Sequence, residues 1–341
     1  MRTTIKDIAR ETGLSSTAVS LVLNNKPNKL SSESRRMILE TAKRLRYHPN
    51  QLAVGLVTRQ SMTLGLIIPD ISNQYFSTLA LGVDEEARSH GRNVIFSCTG
   101  DSAEQDIHSL QVLTARGADA IIMAVASDIN AHSWDLYRDH IEHASVPVVL
   151  IGYGHPAFHC SAVMLNSRSG IYNAVAHLAA LGHRDIAFLT GKEQIDAPSE
   201  RLKSVQSACR DLEIAFRPEY ALDGHYTYQG GYGAAAELIG RPVSALFCLN
   251  DMMALGAFQQ FRQRGLRVPE DISLIGFDDI PFAQLLDVPL TTVKQPAYEI
   301  GREAARLALA EIEDKSRPKQ NILFEPELVI RSSTGAHKKK L

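Results

Sequence analysis

The chain has 341 residues, which is enough for about two domains. Hydrophobic residues make up 45% of it and charged residues 22%, which is typical of a globular protein and argues against a disordered or fibrous chain. No apolar run approaches the ~18 residues of a membrane-spanning helix, and the N-terminus lacks the apolar segment of a secretory signal. The four cysteines show no metal-binding spacing. We therefore expect a cytoplasmic protein with no membrane partner, no metal and no cofactor.

The charge is unevenly distributed along the chain. Residues 1–60 contain 11 Lys and Arg against 4 Asp and Glu, a net charge of +7. The remaining residues hold 25 basic against 34 acidic side chains, a net charge of -9. A small basic segment before a large acidic one indicates that the basic segment meets a polyanion. A solvated, charged surface is the alternative.

The basic segment begins with a helix–turn–helix pattern. Thr4 followed by Asp7 has the form of a capping box, and Gly13 is suited to end the helix that follows. Ser15 or Ser16 then caps a second helix. A third helix is predicted from Ser31–Ser32 to about Tyr47. The short connection between the first two helices matches the DNA-binding form of this motif.

The second helix has two different faces. At about 100° per residue, Val19, Val22 and Leu23 share the side that must face the core. Thr17 and Leu21 lie on the opposite side, with Ser20 at its edge. In this basic context we interpret that outward face as a DNA-binding surface. A solvated surface remains the alternative for the two hydroxyl residues, and contact with a neighbouring helix remains the alternative for Leu21.

The next segment, residues 48–60, is a candidate switch. Pro49 suits the first turn of a new helix, but Gly55 weakens that helix, and isolated helices below ~12 residues are marginal in water. A partner could therefore order the segment.

From Ser61 onward, short apolar strands alternate with amphipathic helices. The strand patterns occur at 64–70, 93–98, 119–125, 146–152, 161–165, 185–190, 244–250 and 271–277. Strands separated by helical crossovers indicate parallel sheets covered by helices on both faces. Because these strands are too many for one sheet, we predict two similar lobes.

Several motifs resemble the LacI/GalR family of bacterial transcriptional regulators. They are TIKDIARETGLSSTAVSLVLNNKP, SRRMILETAKRLRYHPNQLAVGL, LGLIIPD, VAHLAALGHRDIAFLTG, NDMMALGAF, RVPEDISLIGFDD and PLTTVKQP, in the family's order and spacing. The resemblance implies an all-α helix-turn-helix head (1–47), a hinge (48–60) and an α/β periplasmic-binding-protein-like body (61–335). It also implies three crossings between the lobes, which we place near 160, 290 and 322. Lobe 1 is then about 61–160 and 291–322, and lobe 2 about 161–290 and 323–335.

The resemblance also implies how the protein meets DNA. In the family, the hinge becomes helical when a homodimer pairs on a pseudo-palindromic operator of double-stranded DNA, and a leucine matching Leu56 is wedged between base pairs in the minor groove. A plain linker leucine is the alternative. We predict DNA contacts for Thr4, Ser15, Ser16, Thr17, Ser20, Leu21, Asn24, Asn50, Leu52, Ala53 and Leu56.

A small-molecule effector is expected where the strands of the body end. Ligands of parallel sheets bind at the carboxyl ends of the strands, and Arg, Asn and Asp beside aromatic rings suit a polyhydroxylated molecule. The residues after the strands, matched to the family, give the effector-binding set Asn73, Tyr75, Phe76, Tyr153, Arg201, Tyr226, Asn250 and Asp278. Asn250 could instead be a helix cap. Because Ile195 stands where purine-responsive relatives carry Arg, we expect a sugar or sugar derivative.

An enzyme is not expected, because the chain has neither a dinucleotide fingerprint nor a GxSxG elbow. The sequence therefore predicts a cytoplasmic, nucleoid-associated regulator, most simply a repressor of a carbohydrate-utilisation operon. Two alternatives remain. A global carbon regulator controlled by a phosphocarrier protein would share every feature above, whereas a sugar-binding transport protein would share only the body.

Overall fold

The computed structural model describes residues 3–24, 27–47, 60–127, 131–152, 158–191 and 199–337. They form two compact units, divided between Ser61 and Met62. The hinge residues 48–59 lie outside the described ranges, and with them the predicted DNA contacts Asn50, Leu52, Ala53 and Leu56. Within those ranges, no helix is long and apolar enough to cross a membrane.

The described residues of the first unit, which we call the head, form three helices. They are α1 (Ile5–Thr12), α2 (Ser16–Leu23) and α3 (Ser32–Arg44). Before α1, the backbone N–H and the hydroxyl of Thr4 both donate to the carboxylate of Asp7, at 2.9 and 2.7 Å. Gly13 follows α1 with φ 69°, in the left-handed region that favours glycine. The predicted start of α3 is confirmed, but the helix ends before Tyr47 because Arg46 turns the chain with φ 49°.

The core of the head is small and involves all three helices. Its buried side chains are Ile8, Ala9, Val19, Val22, Ile38 and Ala42. The predicted inward face of α2 is confirmed for Val19 and Val22, which are 0% and 2% exposed. Leu23 is only partly buried, although it packs against the same core. Since so few apolar side chains hold the head together, each contributes a large share of its stability.

The second unit, the body, contains two six-stranded sheets with helices between the strands. Its helices are α4 (Gln74–Ser89), α5 (Ala103–Ala115), α6 (Ala131–Glu142), α7 (Ser167–Ala180), α8 (Glu200–Asp211), α9 (Tyr228–Leu238), α10 (Asp251–Gln263) and α11 (Ala297–Glu313). Its strands are β1 (Thr63–Ile68), β2 (Asn93–Cys98), β3 (Ala120–Ala124), β4 (Val148–Ile151), β5 (Ser161–Leu165), β6 (Ile186–Thr190), β7 (Ala221–Asp223), β8 (Ala245–Cys248), β9 (Ser273–Asp278), β10 (Thr291–Lys294), β11 (Asn321–Phe324) and β12 (Glu327–Val329).

The two sheets form the two predicted lobes. Lobe 1 has the strand order β11-β5-β4-β3-β1-β2, and lobe 2 has the order β12-β10-β9-β8-β6-β7. Central strands such as β3, β8 and β9 are buried along their whole length, as expected where helices cover both faces. Among the described strands, the prediction of parallel sheets holds for every pairing except β12 with β10, which is antiparallel.

The chain crosses between the lobes later than predicted at all three places. β5 belongs to the sheet of lobe 1, β10 to that of lobe 2 and β11 to that of lobe 1. The crossings therefore follow Leu165, Lys294 and Phe324, and the predicted positions near 160, 290 and 322 are wrong by a few residues. The residue pattern of an apolar strand does not show to which lobe the strand belongs, because its hydrogen-bonded neighbours decide which sheet it joins.

Candidate nucleic-acid interface and ligand cleft

The outward face of α2 is accessible in the head. Thr17 is exposed, and Ser20 and Leu21 are partly buried. In the described part of the head, the partly buried side chains packed on the core are Ile5, Leu14, Leu23, Leu30, Leu45 and Tyr47. Leu21 is partly buried but is not one of them, and both interpretations of Leu21, DNA contact and contact with a neighbouring helix, stay predictions.

The remaining predicted contacts of the head lie at helix ends. Ser15 caps α2, because its hydroxyl oxygen accepts the backbone N–H of Ala18 at 3.2 Å. Ser16 is exposed at the first position of the helix. At the other end, the side-chain amide of Asn24 donates to the Ser20 carbonyl at 2.9 Å. Hydroxyls and backbone N–H groups at a helix N-terminus can bind phosphate oxygens, whereas the exposed side of the helix can read base edges.

In the body, the predicted effector residues of lobe 2 lie close together at the carboxyl ends of its strands. The guanidinium carbon of Arg201 lies 4.8 Å from the ring centre of Phe277 and 5.8 Å from that of Tyr226. Its Nη1 donates to the Leu249 carbonyl at 2.8 Å. These contacts hold the cation in one orientation against two aromatic faces.

Tyr226 is placed by two features of the loop after β7. Its backbone has φ 54°, and its ring lies against Gly191, where an added Cβ would be 2.1 Å from a ring carbon. The side-chain amide of Asn250 donates to the Tyr226 carbonyl at 2.8 Å. The glycine is therefore required for the ring to reach this position.

Asn250 is a helix cap, as the alternative interpretation proposed. It is 3% exposed, and its Oδ1 accepts the backbone N–H of Met253 at 2.8 Å in the first turn of α10. Together with the bond to Tyr226, this uses the amide oxygen and one amide hydrogen. One N–H of Asn250 remains for a ligand in this arrangement.

Asp278 is the most perturbed acid of this cluster. It is 6% exposed, and its Oδ1 accepts from the Nε2 of Gln295 at 2.5 Å. Burial raises the pKa of the Asp278 carboxyl well above its ordinary value, and the neighbouring charge of Asp251 raises it further. Arg201 and Gln295 act in the opposite direction by favouring the charged form.

Lobe 1 contributes two aromatic rings. Tyr75 and Phe76 meet edge to face with ring centres 5.0 Å apart. Tyr75 packs against the cores of both lobes, and burial raises the pKa of its phenol, with the charge of Asp278 as the second cause. Tyr75 therefore spans the cleft between the lobes. Asn73 caps α4 by accepting the backbone N–H of Tyr75 at 3.0 Å.

The structure thus brings Tyr75, Arg201, Tyr226, Asn250 and Asp278 to one place between the lobes. Phe76 adjoins this cluster, and Asn73 lies at its edge as a cap. Tyr153 lies outside the described residues. A cation, a carboxylate and an amide beside aromatic rings can bind hydroxyl groups in pairs and cover an apolar ring face.

Sequence reasoning missed three residues here. Gln295 follows β10, which is not among the predicted strands, and Phe277 is the last residue of the strand predicted at 271–277. Gln74 lies between the lobes, where its Oε1 accepts the backbone N–H of Phe282 at 3.4 Å. The rule that sites follow strand ends would have found Gln295 if β10 had been recognised.

Asp251, next to the cap, belongs to the framework of the cleft. It is fully buried, and its carboxylate accepts from the hydroxyl of Thr292 at 2.6 Å and from the backbone N–H of Ile280 at 2.9 Å. Burial raises the pKa of the Asp251 carboxyl to about 6. Across the ranges that the structure covers, no group of three or more His, Cys, Asp or Glu is arranged to hold a metal ion.

Comparison with known proteins places both units in families. Residues 4–50 match the family described as bacterial regulatory proteins, lacI family, and residues 175–334 match the periplasmic binding protein-like domain. Over nearly its whole length the chain is similar to three curated relatives. The HTH-type transcriptional regulator DegA of Bacillus subtilis is 32% identical over 98% of this chain and 99% of its own. Catabolite control protein A of Priestia megaterium is 33% identical over 98% and 100%. The ribose operon repressor of Haemophilus influenzae is 30% identical over 97% and 98%.

Solved structures of LacI family regulators are also similar to this chain. A LacI family transcriptional regulator from Enterococcus faecium with bound ribose superposes with a TM-score of 0.71, at 28% identity, over 81% of this chain and 100% of that one. The lac repressor dimer bound to operator and an anti-inducer has a TM-score of 0.85 over 98% and 100%, at 24% identity, which supports the fold alone.

Proposed function

Because the chain belongs to the lacI family of bacterial regulatory proteins and is a DNA-binding transcriptional regulator, we propose that it is a repressor of a carbohydrate-utilisation operon, controlled by a sugar or sugar derivative bound between its lobes. It acts as a homodimer, each head contacting one half of a pseudo-palindromic operator. It resides in the cytoplasm, on the nucleoid. It is not an enzyme.

The observation that carries the proposal is the cluster between the lobes. Arg201 against two aromatic rings, beside the carboxylate of Asp278 and the amide of Asn250, offers hydrogen bonds of both directions next to apolar faces. This combination suits a neutral ring with several hydroxyl groups. The similarity to a ribose operon repressor and to a regulator with bound ribose supports the same class of effector.

Titration calorimetry against a panel of sugars, including D-ribose and cellobiose, tests the effector. We expect heat with at least one sugar, and we expect that heat to be lost in Arg201→Met. The bound sugar should be recovered unchanged after prolonged incubation, as the proposal of a non-catalytic protein requires. A new product in the NMR spectrum of the recovered sugar would contradict that part.

A second experiment tests the division of labour between head and body. Selection of DNA sites from a random library should yield a pseudo-palindrome with the full chain and none with a chain lacking residues 1–60. The shortened chain should still dimerise and still bind the sugar. DNA retention by the body alone would refute the assignment of DNA binding to the head.

A global carbon regulator is the second candidate, because catabolite control protein A is as similar to this chain as the other relatives. In that case a phosphocarrier protein, and not a sugar, would control operator binding. The absence of heat with every sugar, together with binding of a phosphorylated carrier protein, would favour this candidate over the first.

A further inference from the structure

Two adjacent acids, the last residue of β9 and the residue after it, have strained backbones. Asp278 has φ 128° and Asp279 has φ 58°, both in the region that residues with side chains seldom adopt. Such conformations persist when surrounding contacts over-determine them, and they cluster at ligand clamps and switches. Each of the two acids is held by a side chain from a different part of the chain.

Gln295 holds Asp278. Besides the side-chain bond of 2.5 Å, its backbone N–H donates to the Asp278 carbonyl at 3.2 Å. Gln295 is 6% exposed, so both bonds are shielded from water. It follows β10 directly and precedes α11, which places it in the second crossing between the lobes.

Arg331 holds Asp279. Its Nη2 donates to the Asp279 carboxylate at 2.6 Å, and its Nη1 donates to the Leu290 carbonyl at 2.8 Å. The two side chains are only 18% and 16% exposed, so solvent screens this ion pair less than one at the surface. Arg331 comes just after β12, the strand that the third crossing leads into.

Residues 278–279 are therefore bonded to Gln295, which lies in the second crossing, and to Arg331, which follows the strand that the third crossing leads into. We propose that Gln295 and Arg331 are positioning residues that transmit the state of the Asp278 carboxylate to the angle between the lobes, without themselves contacting the effector. The proposal rests on the proposed function, because it takes Asp278 to be an effector ligand.

The physical reason is that one oxygen of Asp278 is already used by Gln295. An effector that engages the other oxygen, or changes the charge of the group, alters the bond that ties this loop to the second crossing. A ligand can shift a conformational equilibrium only through such a difference in interaction between the two states. The bond between Arg331 and Asp279 limits how far the loop can relax on its own.

A double-mutant cycle on operator affinity tests the inference without an effector. The full chain is used with the DNA site that it selects from a random library. Asp278→Asn imitates neutralisation of the carboxylate, and Gln295→Met removes the side-chain donor at similar volume. Gln263→Met is the matched control, since Gln263 is an exposed glutamine of α10 bonded to the hydroxyl of Tyr232.

We expect Asp278→Asn to change the Kd for the site about threefold or more in the wild-type and Gln263→Met backgrounds, at the lower end of measured couplings between sites. In Gln295→Met the same substitution should change Kd less than about 1.5-fold, because the side-chain bond between the Asp278 carboxylate and the second crossing is already absent. Arg331→Met repeats the cycle through the third crossing if Gln295→Met fails to fold.

An equal effect of Asp278→Asn in all backgrounds, or no effect in the wild type, overturns the inference. If the wild type selects no DNA site at all, the proposed function fails instead, so the two failures are distinguishable. A purely structural role for Gln295 would lower stability and leave the two effects on Kd additive.

Discussion

Replacing Asn250 with alanine removes two hydrogen bonds from the floor of the cleft. The oxygen that caps α10 is lost, and a cap of this kind contributes about 1 kcal/mol. The donor to the Tyr226 carbonyl is lost as well, and a hydrogen bond of this kind contributes about 1 kcal/mol. We expect the free energy of unfolding of the body to fall by about 2 kcal/mol in total.

Urea unfolding followed by far-UV circular dichroism measures this loss. Asn250→Ser separates the two contributions, because serine can still cap the helix but cannot reach the Tyr226 carbonyl. It should lose roughly half as much stability as Asn250→Ala. Asn321→Ala on the exposed face of β11 is the control, and it should stay within about 0.5 kcal/mol of the wild type. A loss below about 1 kcal/mol for Asn250→Ala, with sugar binding abolished, would refute the structural role and return Asn250 to a direct effector contact.

Three further predictions concern the head and the core of lobe 1. Leu21→Arg should change the preferred base at one position of each half-site, because arginine donates to guanine and leucine offers only methyl contact; selection of sites with the variant should show it, and an unchanged consensus would contradict it. Gly13→Ala should lower the free energy of unfolding of the head by about 1 kcal/mol, because φ is 69° there, and weaken operator binding in gel-shift assays; unchanged thermal unfolding would contradict it. Burial raises the pKa of the Asp106 carboxyl from 3.8 to about 6, so the folded protein binds this proton more tightly than the unfolded chain does. The free energy of unfolding should therefore fall by up to about 3 kcal/mol as the pH rises from 4 through 6. Asp106→Asn should remove this slope from stability measured against pH, and an unchanged slope would contradict the assignment to Asp106.

Local sequence patterns were sufficient to predict the helices of the head and their ends. The helix ends could be predicted because the residues that form them contact neighbours only a few positions away. These residues are Thr4 with Asp7, Gly13 and Ser15. The inward and outward faces of α2 could be predicted from helical periodicity, because the three helices of the head pack around one common core. The alternation of strands and helices in the body could also be predicted, since most strands in the middle of the two sheets, such as β3, β8 and β9, are short apolar runs buried along their length.

What the tertiary structure alone decided is which strand joins which sheet and which groups meet between the lobes. β5, β10 and β11 are short, and their lobe depends on which strands they pair with: β5 pairs with β4 and β11, and β10 pairs with β9 and β12. The bonds of Gln295 to Asp278 and of Arg331 to Asp279 span 17 and 52 residues, a separation across which no local pattern connects the partners. The sequence by itself therefore determined where helices and strands form and which types of side chain follow them, because these features depend on residues close by in the chain. Only the fold determined the contacts between the lobes, because packing energy selects among many arrangements of the same elements.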